Sequence, residues 1–523
     1  MGACPYCRST TLPSDTICYS CGRVLPSGER SSYRLEQQFN RGSKDTTYKM
    51  AQKPSKRGIV QTHIGTRRNI MKRQKNKVRS VALVALIGFV MMSPAAQEAV
   101  FSADEFLLDA VTGYHVYPVE ASYTLSKIVD LQNKGAAGYM VESILIPPVI
   151  TTAMEHQYQF EFTDGSEPIQ PMTIQQTNQI TVVVEGSSIN VPIDGLPSKS
   201  YEERVITSGG HEVWWPGLGS DINECEVANC VLVKMNLAAG ASGRFSFDID
   251  LSSHSYSWWS DTRVDPWIPG QEYGINLENS GTFADIANRD SGLRQTQFGS
   301  ELWYERDGGA GYAINAQDAL VTSTADLIAS SLPEGRSDNA YAFARAAFDF
   351  LHANVVYDTE APNPARSGPA CLASGLGDCD EQTNAFFSIL RTRGIPGWYA
   401  FGVLGDPKFT DVKWEAHAWG YIQLPMNDEW CEEKKIVLSS CYVEGSVDVV
   451  NNKWLLNTPT AYVDWIEGQG TDGTDVNNYF HPVRQGPSGS GVDIKRVRSY
   501  DTIDSADISG GNFKVNRYAE NLK

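Results

Sequence analysis

The rhythm of apolar and polar positions changes along the chain. Between Tyr117 and Leu251, short apolar or alternating runs at 139–146, 158–162, 180–184 and 245–251 are separated by turn residues. In the last of these, Phe-Ser-Phe-Asp-Ile-Asp-Leu, every second residue is apolar, the period of a strand with one face on a core. Asp164-Gly165-Ser166 and Gly186-Ser187-Ser188 punctuate the runs, and the whole predicts an antiparallel β-sandwich. Near Thr322 the period lengthens. Ala340, Phe343, Ala344, Ala347 and Leu351 form the stripe of an amphipathic helix over 338–354, with Ser337 as its N-cap. A second helix is predicted over 380–393, ended by Gly394 and Pro396, and two strands follow at 398–404 and 417–424.

One stretch has no such rhythm. From Ser80 to Gln97 there is no charged residue, and 81–92 reads VALVALIGFVMM. At ~1.5 Å per residue this stretch reaches about 27 Å, just short of a ~30 Å hydrocarbon core. Arg79 can snorkel at one end, and apolar character resumes at 99–101, so a single transmembrane helix over 80–98 is expected. Lys72, Arg73, Lys75, Lys77 and Arg79 precede it, which puts the N-terminus in the cytoplasm and the rest outside the cell membrane. A buried core helix is one rival reading. Cleavage after Ser93-Pro94-Ala95-Ala96 is another, although eighty preceding residues are long for a removable signal.

Charge divides at the same place. The 523 residues carry a net charge of −18, but residues 1–100 carry +12 and the remainder −30. The composition, 41% hydrophobic and 20% charged, excludes wholesale disorder, collagen and a multi-span membrane protein. The acidic body argues against nucleic acid as its ligand. The basic linker at 26–79 has no apolar periodicity and is expected to be disordered and attracted to anionic lipid.

Cys4, Cys7, Cys18 and Cys21 form a CxxC–x10–CxxC array. Two intervening residues let both thiolates of a pair reach one ion, so a closed structural Zn²⁺ site over 1–25 is expected. The spacing resembles the short zinc ribbons at the N-termini of many prokaryotic membrane proteins, and a cytoplasmic partner of the ribbon is conceivable. Six further cysteines lie beyond the apolar stretch. Nearness in sequence suggests the pairs Cys225–Cys230 and Cys431–Cys441, which leaves Cys371 and Cys379, a third disulfide that would switch the site off.

Candidate chemistry centres on Cys379, at the expected start of the second helix, where the helix dipole favours a thiolate and Asp378 and Asp380 oppose it. An imidazolium is needed to outweigh them. His417 opens a strand in which His417, Trp419 and Tyr421 share a face, and together with Cys379 it would make the ion pair used in nucleophilic acyl transfer. The Trp pairs 214–215 and 258–259 are read as packing, with a sugar-stacking platform as the rarer alternative.

GDCDEQTNAFFSILRTRGIP followed by AHAWGYIQLP resembles the transglutaminase-like, papain-fold superfamily over roughly 316–470. The resemblance implies a papain-like α+β domain, Cys379 as nucleophile and His417 as general base and acid. The family's third member is an Asp in a W-x-x-x-D-P-T setting. Here the nearest likeness is Trp454-Leu-Leu-Asn457-Thr458-Pro459-Thr460, which points to Asn457, with Asp448 and Asp464 as alternatives. The expected whole is a multidomain α+β chain: zinc ribbon 1–25, linker 26–79, transmembrane helix 80–98, β-rich sandwich-like region 99–315, transglutaminase-like domain 316–470 and flexible tail 471–523. Its expected work is acyl transfer on the amide bonds of a protein or peptide outside the membrane, hydrolysis more than crosslinking and with no cofactor for catalysis. The alternative is an inactive surface-binding or scaffold protein.

Overall fold

A computed structural model describes residues 2–3 and 10–11 and most of 114–516. The intervals 152–159, 167–171, 192–202, 216–229, 260–262, 266–272, 287–288, 290–312, 363–364, 406–413, 468–483 and 488–490 lie outside it. Cys4, Cys7, Cys18, Cys21, the linker and the apolar stretch 80–98 also lie outside the described residues. Gly2–Ala3 and Thr10–Thr11 pair antiparallel, so the first cysteine pair falls between two paired strands in sequence. Among the described residues, no helix is long and apolar enough to cross a membrane.

The β-rich region is built from two sheets. In the larger, the order is Arg263–Asp265, Ile494–Asn516, Tyr114–Asn133, Ser242–His254, Thr173–Val184 and Ile150–Thr151, with Ser187–Val191 hairpinned onto Thr173–Val184. Glu185 and Gly186 form that hairpin turn at φ 46° and 83°, the two left-handed residues that a tight turn matching the strand twist requires. The smaller sheet runs Arg484–Gly486, Gly138–Leu145, Cys230–Leu237, Glu212–Trp215, Glu203–Ile206. Period two holds as read: Phe245, Phe247, Ile249 and Leu251 are buried and share one core with Val213, Val231 and Met235 of the other sheet. Trp214, Trp215, Trp258 and Trp259 are all buried, so none forms a stacking platform.

The supposed flexible tail is a correction. Ile494–Asn516 is a strand hydrogen-bonded between Tyr114–Asn133 and Arg263–Asp265. Its Gly, Ser and Asp content misled because backbone pairing holds it, while among its described side chains apolar burial falls on a few positions such as Ile494 and Phe513. Arg496 and Arg498 also pair with Glu142, which is 1% exposed.

The second half packs helices on a four-stranded antiparallel sheet ordered Tyr442–Val447, Glu415–Pro425, Gly397–Leu404, Ala461–Ile466. The helices preceding and flanking the sheet include Ala319–Ser331, Ala340–Asn354, Gly368–Ser374 and Cys379–Arg391, and a short one, Asp428–Glu433, falls between two of its strands in sequence. Asn339, not Ser337, caps the second of these, its side chain accepting from the Ala342 N–H. Gly394 is left-handed at φ 76°, as its place after the Cys379 helix requires. The Phe387 ring lies against the glycines Gly397 and Gly420, which lets the Cys379 helix sit directly on the sheet. The expected boundary near residue 315 is crossed repeatedly. Tyr256–Ser257 pairs with Leu456–Asn457, Gln175 exchanges hydrogen bonds with both backbone groups of Val463, and Arg345 lies over Trp259, Phe348 and Trp454.

Gly402 shows how close the packing is. A Cβ there would collide with the Tyr462 carbonyl, at the register shift between Gly397–Leu404 and Ala461–Ile466. Gly402→Ala should therefore destabilise the chain by about 2–3 kcal/mol. A denaturant midpoint equal to wild type would show that the edge strand yields freely.

Candidate active site

Cys379 is the first residue of its helix, one position before the expected start, with Asp378 as N-cap. A reciprocal capping box fixes this turn: the Glu381 N–H donates to Asp378 Oδ1 at 3.3 Å, and the Asp378 N–H donates to Glu381 Oε2 at 3.2 Å. Glu381 has no side-chain exposure, and it also accepts from the Arg366 N–H at 2.6 Å and from its guanidinium at 2.8 Å. Arg366 reaches on to Asp358 at 2.7 Å. Gln382 Nε2 donates to the Gly377 carbonyl at 2.8 Å, so the turn preceding the thiol is held from both sides.

His417 lies in the strand Glu415–Pro425, its ring stacked on Trp419 with centroids 5.5 Å apart. Its Nε2 meets Asp448 Oδ2 at 2.9 Å, and the side chains are 7% and 6% exposed. The Cys379 side chain hydrogen-bonds the same ring. Burial disfavours the imidazolium, but the charge and hydrogen bond of Asp448, joined by Cys379, outweigh it and hold His417 well above the usual histidine range. Burial likewise works against the Asp448 carboxylate, and His417, Lys453 and Asn451 overcome it, holding the carboxyl below its usual range.

Asp448 follows the strand Tyr442–Val447 and opens a tight hairpin to Lys453. Asn451 in that turn donates through Nδ2 to Asp448 Oδ2 at 2.8 Å and lies 3.2 Å from His417 Nε2.

Asn457, expected to orient His417, does not reach it. Its Oδ1 accepts from the Tyr421 hydroxyl at 3.2 Å, and its backbone pairs with Tyr256. Asn457 lies in a separate two-stranded pairing with Tyr256–Ser257 and meets the His417 strand at Tyr421, four residues from the histidine. Asp464 is engaged by Lys127. The structure thus brings together Cys379, His417 and Asp448, and leaves Asn457 outside.

Cysteine pairing divides similarly. Cys431–Cys441 is a disulfide, and Cys230 is disulfide-bonded while Cys225 lies outside the described residues. The supposed Cys371–Cys379 bridge is absent, and both thiols are free. Cys371 points into the helix packing beside Gly377, where burial, then the charge of Glu381, pushes its thiol up to about 12.

Asp378, Cys379 and Asp380 are the one grouping among the described residues whose ligand atoms lie close enough to share an ion, all within 4.8 Å. Such acidic groups are common without one. Burial, and then the hydrogen bond and charge of Asp380, raise the Asp378 carboxyl well above its usual range. An acid raised on folding contributes stability below its unfolded pKa of ~4 and loses it as pH rises through the folded value. Asp378→Asn keeps the cap and removes this titration, so its stability relative to wild type should rise between pH 4 and pH 9. Parallel pH dependences in urea unfolding would refute this.

Residues 328–432 match the family model of the transglutaminase-like superfamily. The matched segment holds Cys379 and His417 and ends before Asp448. Among curated proteins none matches the sequence. A crystal structure of a candidate cysteine protease from Cytophaga hutchinsonii is similar over 76% of this chain and 94% of that one, at 11% identity and a TM-score of 0.34. A candidate protease from Parabacteroides distasonis is similar over 70% and 66%, at 11% identity and a TM-score of 0.18. The chain spans just under two thirds of this second protein.

Proposed function

We propose that this chain is a transglutaminase-like cysteine enzyme that cleaves amide or peptide bonds by acyl transfer. The observation that carries the reading is the run Cys379–His417–Asp448, in which a thiol at a helix start and a buried carboxylate meet one imidazole. The Cys379 thiolate attacks the amide carbonyl carbon, and the electrons of the C=O bond move onto oxygen. As the tetrahedral intermediate collapses, the C–N bond breaks and His417 gives its proton to the departing amine. Water, losing a proton to His417, then attacks the thioester carbonyl. The thiolate leaves and the acid product is freed. Asp448 holds the ring and stabilises its charged form throughout. An amine in place of water would yield a crosslink. Hydrolysis is the favoured outcome.

Cys4, Cys7, Cys18 and Cys21 would hold one structural Zn²⁺, and 80–98 would anchor the chain with its acidic body outside the cell.

The test is the pH dependence of alkylation at each free cysteine of the full chain, read by mass spectrometry, with and without His417→Ala. The proposal requires Cys379 to react fast well below pH 8, and to slow when His417 is lost. Reaction no faster than that of buried Cys371, indifferent to His417, would favour an inert binding module.

A further inference from the structure

The hairpin 448–453 brings to His417 more than its carboxylate partner. We propose that Lys453 and Asn451 are positioning residues, which aim the Asp448 carboxylate at His417 and balance its charge. This rests on the acyl-transfer reading above.

Asp448 and Lys453 exchange both backbone hydrogen bonds, N–H to O at 2.9 and 3.0 Å. A residue pair bonded this way across a two-stranded turn projects its side chains on the same face, a few ångströms apart at Cβ. Both are buried, at 5% and 6% exposure. The Lys453 ammonium donates to Thr458 Oγ1 at 3.0 Å, a neutral partner, so the charge that answers it is the carboxylate beside it. Asn451 closes the other side. Its backbone N–H donates to Asp448 Oδ1 at 3.2 Å and its amide to Oδ2 at 2.8 Å, so both carboxylate oxygens are fixed before His417 adds its own bond.

The arithmetic of charge then closes within the site. Thiolate and carboxylate are two negative charges, and imidazolium and ammonium two positive ones. Without Lys453 the buried group is left one charge negative. Outside this quartet, Asp378 and Asp380 flank the thiol at the helix start, and Tyr357 on the adjoining segment feels the charges of Cys379, Asp378, Glu415 and Asp380. Glu381 is matched by Arg366, which also pairs with Asp358. None of these lies on the hairpin, so a change at Lys453 leaves them in place.

Removing a positive charge favours the protonated form of each neighbour. The full chain, with its disulfides intact, is alkylated at Cys379 with iodoacetamide across a pH series. The midpoint of the acid limb should move up by about one pH unit in Lys453→Met. Lys453→Arg should restore the wild-type midpoint. If Lys453→Met fails to fold, Asn451→Asp at the exposed turn adds a negative charge at the same place and should move the midpoint in the same direction. A purely structural lysine would lower the melting temperature and leave the midpoint alone. An unmoved midpoint, beside a fast and His417-dependent wild type, overturns the positioning role and spares the acyl-transfer reading. A wild type with no His417-dependent reactivity brings down both.

Discussion

Asp448→Ala is expected to lower acyl-transfer kcat/KM by about a hundredfold to ten-thousandfold, whereas Asn457→Ala should stay within about threefold of wild type. The contrast follows from which side chain touches the imidazole. Asp448 bonds Nε2 at 2.9 Å, and Asn457 bonds only the Tyr421 hydroxyl. Without Asp448 the ring is free to rotate, and the buried imidazolium loses its counter-charge. Asp448→Asn should show a narrower version of the defect, with the loss of activity at high pH moved downward as His417 gives up its proton more readily. The same pair makes a stability signature. A histidine raised on folding contributes stability fully below ~6.5 and loses it as pH climbs through the folded value. A depressed carboxylate contributes above ~4 and loses it as pH falls. The deficit of Asp448→Asn against wild type should therefore be widest between about pH 4 and 6.5 and shrink toward either extreme. Equal losses for Asp448→Ala and Asn457→Ala would give Asn457 a share of the orienting role.

Glu381→Ala should be the most damaging single change to stability near the site, at about 3 kcal/mol. Glu381 is fully buried and carries four bonds: the Asp378 and Arg366 backbone N–H groups, the Arg366 guanidinium, and its own N–H to the Asp378 side chain. Truncation frees the helix start, strands the partly buried Arg366 and leaves Asp358 as its remaining partner. Glu381→Gln retains the size and some hydrogen bonding, and should cost less. Chemical denaturation reads both, and Cys379 alkylation in the surviving native protein reads whether the thiol has moved. A Glu381→Ala midpoint indistinguishable from wild type would mean that the capping box is ornamental.

Much of this site could be read in the sequence because it rests on local rules. The thiol at a helix start follows from capping residues within four positions of it, and the histidine strand follows from period two. Asn339 displaced Ser337 as a cap because both residue types suit the place, and only the path of the chain chooses between them. Asp448 is a different case. It reaches His417 through the pairing of Tyr442–Val447 with Glu415–Pro425, in which Gly420 faces Val447. That register lies beyond the stretch 427–441, which contains a helix and a disulfide, and nothing in a linear reading counts residues across it. The usable signal was the polar turn Asn451-Asn452 directly after an apolar strand, which marks a hairpin and hence what its ends hold together. Lys453 was hidden for a related reason, since a lone lysine reads as solvated until its neighbour across the turn is known.

The last strand, Ile494–Asn516, also bears on how the molecule is made. It lies between Tyr114–Asn133 and Arg263–Asp265, so the larger sheet is opened by its Tyr114–Asn133 strand and completed about 360 residues later. The entire Cys-His unit is synthesised in the interval, and so is an insertion within an unfinished sandwich. Until the C-terminal residues emerge, Tyr114–Asn133 has one open edge, the kind of surface that recruits strands from other chains. Chains released early, at about residue 470, would carry a complete set of Cys379, His417 and Asp448 but an unsealed sheet. Loss of Ile494–Asn516 is thus expected to cost the sheet its seal before it costs the site its residues.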